Sequence, residues 1–293
     1  MMKDMGKESE AVLVRGLRKT YQGRQAVDGI DLEINRGEVL ALLGPNGAGK
    51  TTTVDILAGQ RNRDAGTVEV LGMDPANAGR GRQGRSWRAR IGIVAQSAGT
   101  LPELTVAELV SHIASFYPCP RDPAEVIDRT GLTDKSQQRI GTLSGGQARR
   151  LDVALAVVGR PELLFLDEPT TGFDPEARRQ FWDLIRQLSE DGTTILLTTH
   201  YLEEAEALAN RIAVIKAGHV IAQGAPQELG GRTQGLATVG WDTPQGRRTQ
   251  QTKTPTSLLR DLAREFSGEI PGLAVTRPTL EDAYLELIGD SQR

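Results

Sequence analysis

Short apolar runs alternate along this chain with longer segments in which apolar residues recur every three or four positions. The runs have the length of buried strands, and the spaced segments are typical of amphipathic helices. This alternation predicts an α/β fold with a mostly parallel core sheet. The predicted strands are Ala11–Val14, Asp31–Ile34, Glu38–Leu43, Thr67–Leu71, Ile91–Ala95, Leu163–Leu166, Thr194–Thr199, and a hairpin of Arg211–Ile215 with Val220–Ala222.

The helical segments are bounded by capping and breaking residues. Pro118 and Pro120 end the segment Leu101–Tyr117, whose predicted apolar face includes Leu101 and Phe116. Asp174-Pro175 opens a later helix as cap and first residue. The other predicted helices are Thr51–Leu57, Ala124–Thr130, Gln147–Val158, Leu202–Ala209, Leu258–Phe266 and Leu280–Ile288.

Changes in composition divide the chain into three parts. Residues 1–10 are expected to be a flexible N-terminus, and residues 11–230 to be the main domain. Within that domain, the N-terminal strands predict an added antiparallel β subdomain, and residues 97–160 approximately predict a helical insert. Residues 231–293 are expected to be a small C-terminal appendage, in which Gly231–Thr256 is polar and has no assigned element.

Composition narrows the functional class. The 293 residues are 25% charged and carry a net charge of −3, so no basic field predicts a nucleic-acid partner. Arg80–Arg90 is interpreted as a solvated loop rather than a basic binding patch, and the lone Cys119 as an ordinary structural thiol. No apolar run approaches the ~20 residues that span a bilayer, and the N-terminus has no secretory signal pattern. We therefore expect a cytosolic chain and a separate membrane subunit.

The segment between a predicted strand and a predicted helix has the spacing of a phosphate-binding loop. Its glycines allow backbone N–H groups to face a phosphate, and the helix N-terminus adds partial positive charge. Lys50 is expected to reach the β- and γ-phosphates of ATP, Thr51 to bind Mg²⁺, and Thr52 to add a phosphate contact. The loop consists of Gly44, Pro45, Asn46, Gly47, Ala48, Gly49, Lys50 and Thr51.

Two acidic residues follow the apolar strand Leu163–Leu166. Ligands of open α/β sheets bind at the carboxyl ends of the strands, where both acids are expected. We predict that Asp167 holds Mg²⁺ through its water shell and that Glu168 orients the attacking water.

A second glycine-rich turn, Leu143-Ser144-Gly145-Gly146-Gln147, opens another predicted helix with Ser144 as the cap. We call it the signature turn. In order and spacing, the phosphate loop, this turn, the acidic strand and His200 resemble the ATP-binding subunit of an ABC transporter over about residues 11–230. The resemblance implies a P-loop ATPase cassette that binds ATP and Mg²⁺ and forms a homodimer. In that head-to-tail dimer, Ser144 and Gly146 of one copy cover the γ-phosphate held by Lys50 of the other. Gly145 and Gln147 are assigned with them to nucleotide binding.

The same resemblance assigns further residues. Gln96 is similar to a glutamine that contacts Mg²⁺ and water, although Ala95 stands before it where Pro is commoner. His200 is similar to a histidine that contacts the γ-phosphate, and Tyr21 to an aromatic that stacks on adenine. Asp174 lies at the place of the family's D-loop, which assigns it to nucleotide binding, and it is also predicted to cap a helix.

Two stretches resemble the ABC-2 type exporters, which include drug-resistance and daunorubicin-type ATPases: Thr199–Glu206 and Pro278–Leu287. They imply export of an unidentified substrate through a separate permease, with the chain peripheral on the inner membrane face. The segment 97–103 is expected to dock that permease. An importer subunit, a soluble ABC ATPase acting on ribosomes or DNA, and a non-hydrolysing binding module are the alternatives. The last would lack Glu168 or His200, and the soluble ATPase would show two cassettes or a coiled coil.

Overall fold

A computed structural model describes residues 10–79, 81–95, 101–231, 236–266 and 268–289. The predicted site residue Gln96 and most of the predicted docking segment lie outside these residues. The chain forms two compact units, and the boundary between them along the sequence falls between Gln223 and Gly224. That junction comes earlier than residue 230, where the composition changes.

The first unit contains a six-stranded sheet with helices around it, as the alternating pattern predicts. The sheet has the strand order β5-β6-β7-β3-β8-β9, and β3, β5, β6, β7 and β8 run parallel. Its strands are β3 (Val39–Leu43), β5 (Ile91–Val94), β6 (Leu163–Asp167), β7 (Thr194–Thr199), β8 (Arg211–Lys216) and β9 (His219–Gly224). The helices are α1 (Lys50–Leu57), α2 (Arg82–Arg88), α3 (Val106–Ala114), α4 (Pro123–Arg129), α5 (Gly145–Val157), α6 (Pro175–Glu190) and α7 (Leu202–Leu208).

A three-stranded antiparallel sheet precedes the core, as predicted. Its strand order is β2-β1-β4, formed by β1 (Glu10–Tyr21), β2 (Arg24–Asn35) and β4 (Ala65–Val70). The hairpin of β1 and β2 is much longer than the predicted Ala11–Val14 and Asp31–Ile34. Register shifts interrupt the pairing of these strands, for example between Val14 and Leu17, and they break the sequence alternation that marks a strand.

The register of the parallel sheet determines where the site forms. Leu43 at the end of β3 pairs with Thr199 of β7, and Thr198 pairs with Asp167 of β6. The carboxyl ends of β3, β6 and β7 therefore lie side by side. All five residues of β3 and of β6 are buried, and so is every residue of β7, so packing on both faces holds this edge in place.

Two predictions about local structure are wrong. Helix α3 starts at Val106, because Thr105 and Glu108 form a capping box that begins the helix there. Leu101 therefore precedes the helix, and Phe116 follows its last residue, Ala114. The two residues are 53% and 67% exposed, rather than on a buried helix face. The stretch that was predicted to be a solvated loop is helical over Arg82–Arg88, which forms α2 with Trp87 buried against the core.

The second unit has its own small core. A three-stranded antiparallel sheet with the order β11-β10-β12 packs against α8 through Val239, Trp241 and Leu262. The elements of the second unit are β10 (Ala237–Thr243), β11 (Gly246–Thr252), β12 (Ala274–Thr276), α8 (Pro255–Glu265) and α9 (Leu280–Gly289). The polar stretch for which no element was assigned thus contains a hairpin. No helix within the described ranges is both long enough and apolar enough to cross a bilayer.

Candidate functional site

The phosphate loop curves between β3 and α1 and is packed closely against two other strands. A Cβ on Gly44 would lie 2.3 Å from the carbonyl oxygen of Ile215, and one on Gly49 would lie 2.3 Å from that of Ala26. Gly49 also has a φ of 108°, a conformation that L side chains rarely adopt. Glycine is therefore required at both positions, and the loop backbone borders an open cleft as a phosphate cradle requires.

Lys50, the first residue of α1, is 4% exposed, and its side chain turns back to the loop. Its ammonium donates hydrogen bonds to the carbonyl oxygens of Gly44 at 2.8 Å and Pro45 at 3.2 Å. It also lies 3.3 Å from Oε1 of Glu168. The loop, the lysine and the predicted water-orienting acid are thus brought together within one chain.

Glu168 occupies a strained turn directly after β6. Its φ of 46° lies in the left-handed region, which costs a non-glycine residue about 1–3 kcal/mol. The N–H of Glu168 donates to both the carbonyl oxygen and the hydroxyl of Thr198, each at 3.1 Å. This backbone conformation places the carboxylate between Lys50 and His200, whose Nδ1 lies 3.4 Å from Oε2.

Asp167 is buried at the end of β6, with only 5% exposure. Its Oδ1 accepts a hydrogen bond from the Thr198 hydroxyl and lies 3.3 Å from the hydroxyl of Thr51. A carboxylate and a hydroxyl side by side are oxygen ligands of the kind that Mg²⁺ takes, directly or through water. The donor set thus fits the predicted magnesium site.

A cleft of about 510 Å³ lies over this arrangement. Tyr21, the residue expected to stack on adenine, lines this cleft. Two cations lie near its ring, Lys19 at 5.7 Å and Arg61 at 5.3 Å from the centroid. Arg24 and Ala26, which sequence reasoning did not assign, also line the cleft. The remaining lining residues are Asn46, Gly47, Gly49, Lys50, Thr51, Thr52 and Glu168.

Comparison with known proteins decides the family. A profile of the family described as ABC transporter matches residues 27–171. The daunorubicin resistance ATP-binding protein DrrA3 of Streptomyces coeruleorubidus is 38% identical, over 97% of both chains. The chain belongs to the ATP-binding subunits of ABC transporters. It is accordingly an ATP-hydrolysing transporter component, as the sequence motifs predicted.

Two further likenesses extend this result. A Nod factor export ATP-binding protein of Ralstonia nicotianae is 42% identical over 74% of this chain and 67% of its own. Among solved structures, a dimeric ATP-binding cassette in a post-hydrolysis state, bound to ADP and phosphate, has a TM-score of 0.66 and 25% identity. It covers 73% of this chain and 98% of the solved one.

In this ABC subunit, the signature turn is exposed rather than packed on the sheet. Ser144 and Gly145 face solvent, and Gly146 and Gln147 are half-buried. Ser144 and Gln147 form a reciprocal capping box, in which the N–H of Gln147 donates to Ser144 Oγ at 3.3 Å and the N–H of Ser144 donates to Gln147 Oε1 at 3.0 Å. The predicted cap is thus confirmed, and the amide side chain of Gln147 already serves the helix.

The predicted cap at Asp174 is also confirmed, because its Oδ1 accepts a hydrogen bond from the N–H of Ala177 at 2.8 Å. Asp174 is exposed and follows Gly172 and Phe173, which line a second cleft of about 460 Å³ with Gly145 and Glu168. The signature turn and the acidic turn therefore border one space, separate from the cleft over the phosphate loop. Neither cleft contains both glycine-rich turns.

Three buried residues near the site were missed by sequence reasoning. The hydroxyl of Thr198 donates a hydrogen bond to the Asp167 carboxylate and accepts one from the backbone N–H of Glu168. Arg149 donates hydrogen bonds to backbone carbonyls on both sides of Glu168. Glu204 of α7 is fully buried, and burial raises its pKa above that of an ordinary glutamate; Trp182 Nε1 donates to its Oε1 at 3.4 Å. A polar residue inside an otherwise apolar strand or helix face was the available signal for Thr198 and Arg149.

Proposed function

We propose that the chain binds ATP and Mg²⁺ at the phosphate loop, hydrolyses ATP as a head-to-tail homodimer, and so powers export through a separate membrane-spanning permease. One observation carries the catalytic part: the carboxylate of Glu168 lies between Lys50 Nζ and His200 Nδ1, at 3.3 and 3.4 Å. This is an acid beside a phosphate cradle, close to the lysine ammonium on one side and to an imidazole nitrogen on the other.

The triphosphate would lie in the loop, where backbone N–H groups and the start of α1 favour negative charge. Lys50 would exchange its bonds to Gly44 and Pro45 for phosphate oxygens. Tyr21 would stack on adenine, an interaction worth about 1–3 kcal/mol for a base on an aromatic ring. Thr52 lines the same cleft and would add a phosphate contact.

Thr51 and Asp167 would hold Mg²⁺, which neutralises charge that develops on the phosphates during transfer. The contact of 3.3 Å between their side-chain oxygens supports this assignment. Thr198 supports it further, because its hydroxyl fixes the Asp167 carboxylate from the other side. Gln96 is proposed as a further contact to the metal and the water.

Glu168 would orient a water molecule for attack on the γ-phosphorus and accept its proton, with release of ADP and phosphate. His200 would contact the γ-phosphate oxygens while it faces Glu168. The strained backbone of Glu168 supports such a role, since strain of this kind clusters at functional sites.

The exposed signature turn supports a dimer. Its helix start is a second anion site, although one chain has a single phosphate loop. We propose that Ser144 and Gly146 of one copy complete the site of the other, with Gly145, Gln147 and Asp174 at the same interface. The dimeric cassette described above, with a TM-score of 0.66, supports this assembly.

The proposals of export and of a membrane partner rest on the relatives named above. These are a daunorubicin resistance protein and a Nod factor export protein, both described as ATP-binding proteins. We propose that this chain likewise serves an export permease and is held at the inner face of the membrane by it. The permease, rather than this chain, would select the transported substrate.

Glu168→Gln tests the catalytic proposal. Glutamine has nearly the same shape but is a far weaker base, so phosphate release should fall at least 100-fold while ATP binding persists. Glu203→Gln, an exposed position on α7, is the matched control and should keep the wild-type rate. Hydrolysis by Glu168→Gln at the wild-type rate would remove Glu168 from the mechanism.

A further inference from the structure

Arg149 is a buried guanidinium that none of the predicted roles uses. It lies on the second turn of α5, and its side chain is 9% exposed. Burial lowers its pKa, against the opposing effect of the nearby carboxylate of Asp152. A charge of this kind is retained in a protein interior only when its donors are satisfied, so its partners indicate what it holds.

Those partners are three backbone carbonyls at the carboxyl edge of the sheet. Nε donates to the carbonyl oxygen of Pro169 at 3.1 Å, and Nη2 donates to that of Asp167 at 2.9 Å. Nη1 donates to the carbonyl oxygen of Ala95, directly after β5, and lies 3.5 Å from Asp152 Oδ2. The first two carbonyls belong to the residues on either side of Glu168.

Glu168 is thus restrained from two directions. Thr198 binds its N–H, and Arg149 binds the carbonyl before it and the carbonyl after it. The turn needs such restraint, because the φ of 46° at Glu168 is unfavourable for a residue with a side chain. A planar guanidinium suits this task, since its donors point in fixed directions and can span several carbonyls at once.

We infer that Arg149 is a positioning residue for ATP hydrolysis, which holds the backbone turn that presents the Glu168 carboxylate to the cleft. The inference rests on the proposed function of Glu168. Arg149 itself does not line the cleft over the phosphate loop, so its loss should leave nucleotide binding largely intact. Its effect should fall on the rate of the chemical step.

The test uses Arg149→Gln and Arg149→Lys in the full chain. For Arg149→Gln we expect kcat to fall about 10- to 100-fold, since misplacement of a catalytic group by about 1 Å costs that much, with ATP affinity within about threefold of wild type. For Arg149→Lys we expect an intermediate kcat, because one ammonium cannot replace the fork across three carbonyls.

Arg186 offers a matched control on α6. It also pairs with an aspartate three residues away in its helix, Asp183 at 2.6 Å, but its side chain is 46% exposed. Arg186→Gln and Arg186→Lys should keep wild-type kcat. All rates are measured well below the melting temperature of each variant, so that a loss of stability alone does not lower them.

A kcat within about twofold of wild type for Arg149→Lys and Arg149→Gln would overturn the inference, whatever their melting temperatures. So would a loss that appears equally in ATP affinity. If Arg149→Gln does not fold, the kcat of Arg149→Lys decides alone. Glu168→Gln is assayed alongside: if it hydrolyses normally, the proposed function has failed, whereas if only the Arg149 variants do, the positioning role has failed.

Discussion

The phosphate loop and the signature turn are both glycine-rich turns that open a helix, but their surroundings differ. The loop is packed against β2 and β8, and its lysine is 4% exposed and bound to carbonyls and a carboxylate. The signature turn is capped internally and otherwise faces solvent at Ser144 and Gly145. One turn is therefore held within its own chain, and the other is open to a second molecule.

This difference separates two kinds of substitution. A change at the phosphate loop should damage a site that one chain builds alone. A change at the signature turn should leave that site intact and damage only what two chains build together.

Among substitutions that compare the two glycine-rich turns, Lys50→Ala should have the largest effect. It removes at least one charge-assisted hydrogen bond to phosphate, worth about 1.5–3 kcal/mol, which corresponds to a 10- to 100-fold loss of ATP affinity or turnover. It also leaves the half-buried carboxylate of Glu168 without the cation now 3.3 Å away. Equilibrium ATP binding and phosphate release measure the two losses, with exposed Lys253→Ala as the control. Unchanged affinity and turnover would contradict the role of the loop.

Ser144→Ala should have a smaller and different effect. It removes a helix cap worth about 1 kcal/mol of unfolding free energy, and also the hydroxyl proposed to reach the partner's phosphate. Thr105→Ala removes the equivalent capping box of α3, so urea unfolding should show a similar loss of stability in both variants. Only Ser144→Ala should lower turnover, by about tenfold. Equal turnover in the two variants would limit Ser144 to a capping role.

The phosphate loop could be predicted from the sequence alone, because a phosphate-binding loop needs particular residues at fixed spacing. The roles of Thr198 and Arg149 could not be predicted in this way, because they arise only when β6, β7 and α5 pack together. The start of α3 could also have been predicted, since Thr105 and Glu108 have the spacing of a capping box. The apolar residues Leu101 and Phe116 led to the prediction of a longer helix than the observed Val106–Ala114.

Glu162→Gln should have the smallest effect, confined to stability. Glu162 precedes β6, at the opposite end of the strand from Glu168, and the Arg90 guanidinium, with help from Arg36, lowers its pKa to about 2. A carboxylate whose pKa is depressed on folding stabilises the protein above its ordinary pKa of 4.5, and that contribution disappears as the pH falls towards 2.

Because the Glu162 side chain is 40% exposed, screening should reduce its contribution to less than about 1 kcal/mol. Urea unfolding at pH 7 should therefore show a small loss for Glu162→Gln, and the difference from wild type should shrink at pH 3. Phosphate release at pH 7 should not change. A turnover defect would show that the two ends of β6 are not independent.

We propose above that the open signature turn of one copy closes on the ATP held by another. Sedimentation of Glu168→Gln with saturating ATP tests it most directly, because this variant should bind ATP without consuming it. We expect a dimeric mass with ATP, a monomeric mass without it, and a monomeric mass with ATP once Ser144→Arg is added. A monomer with bound ATP, or a dimer that survives Ser144→Arg, would contradict it.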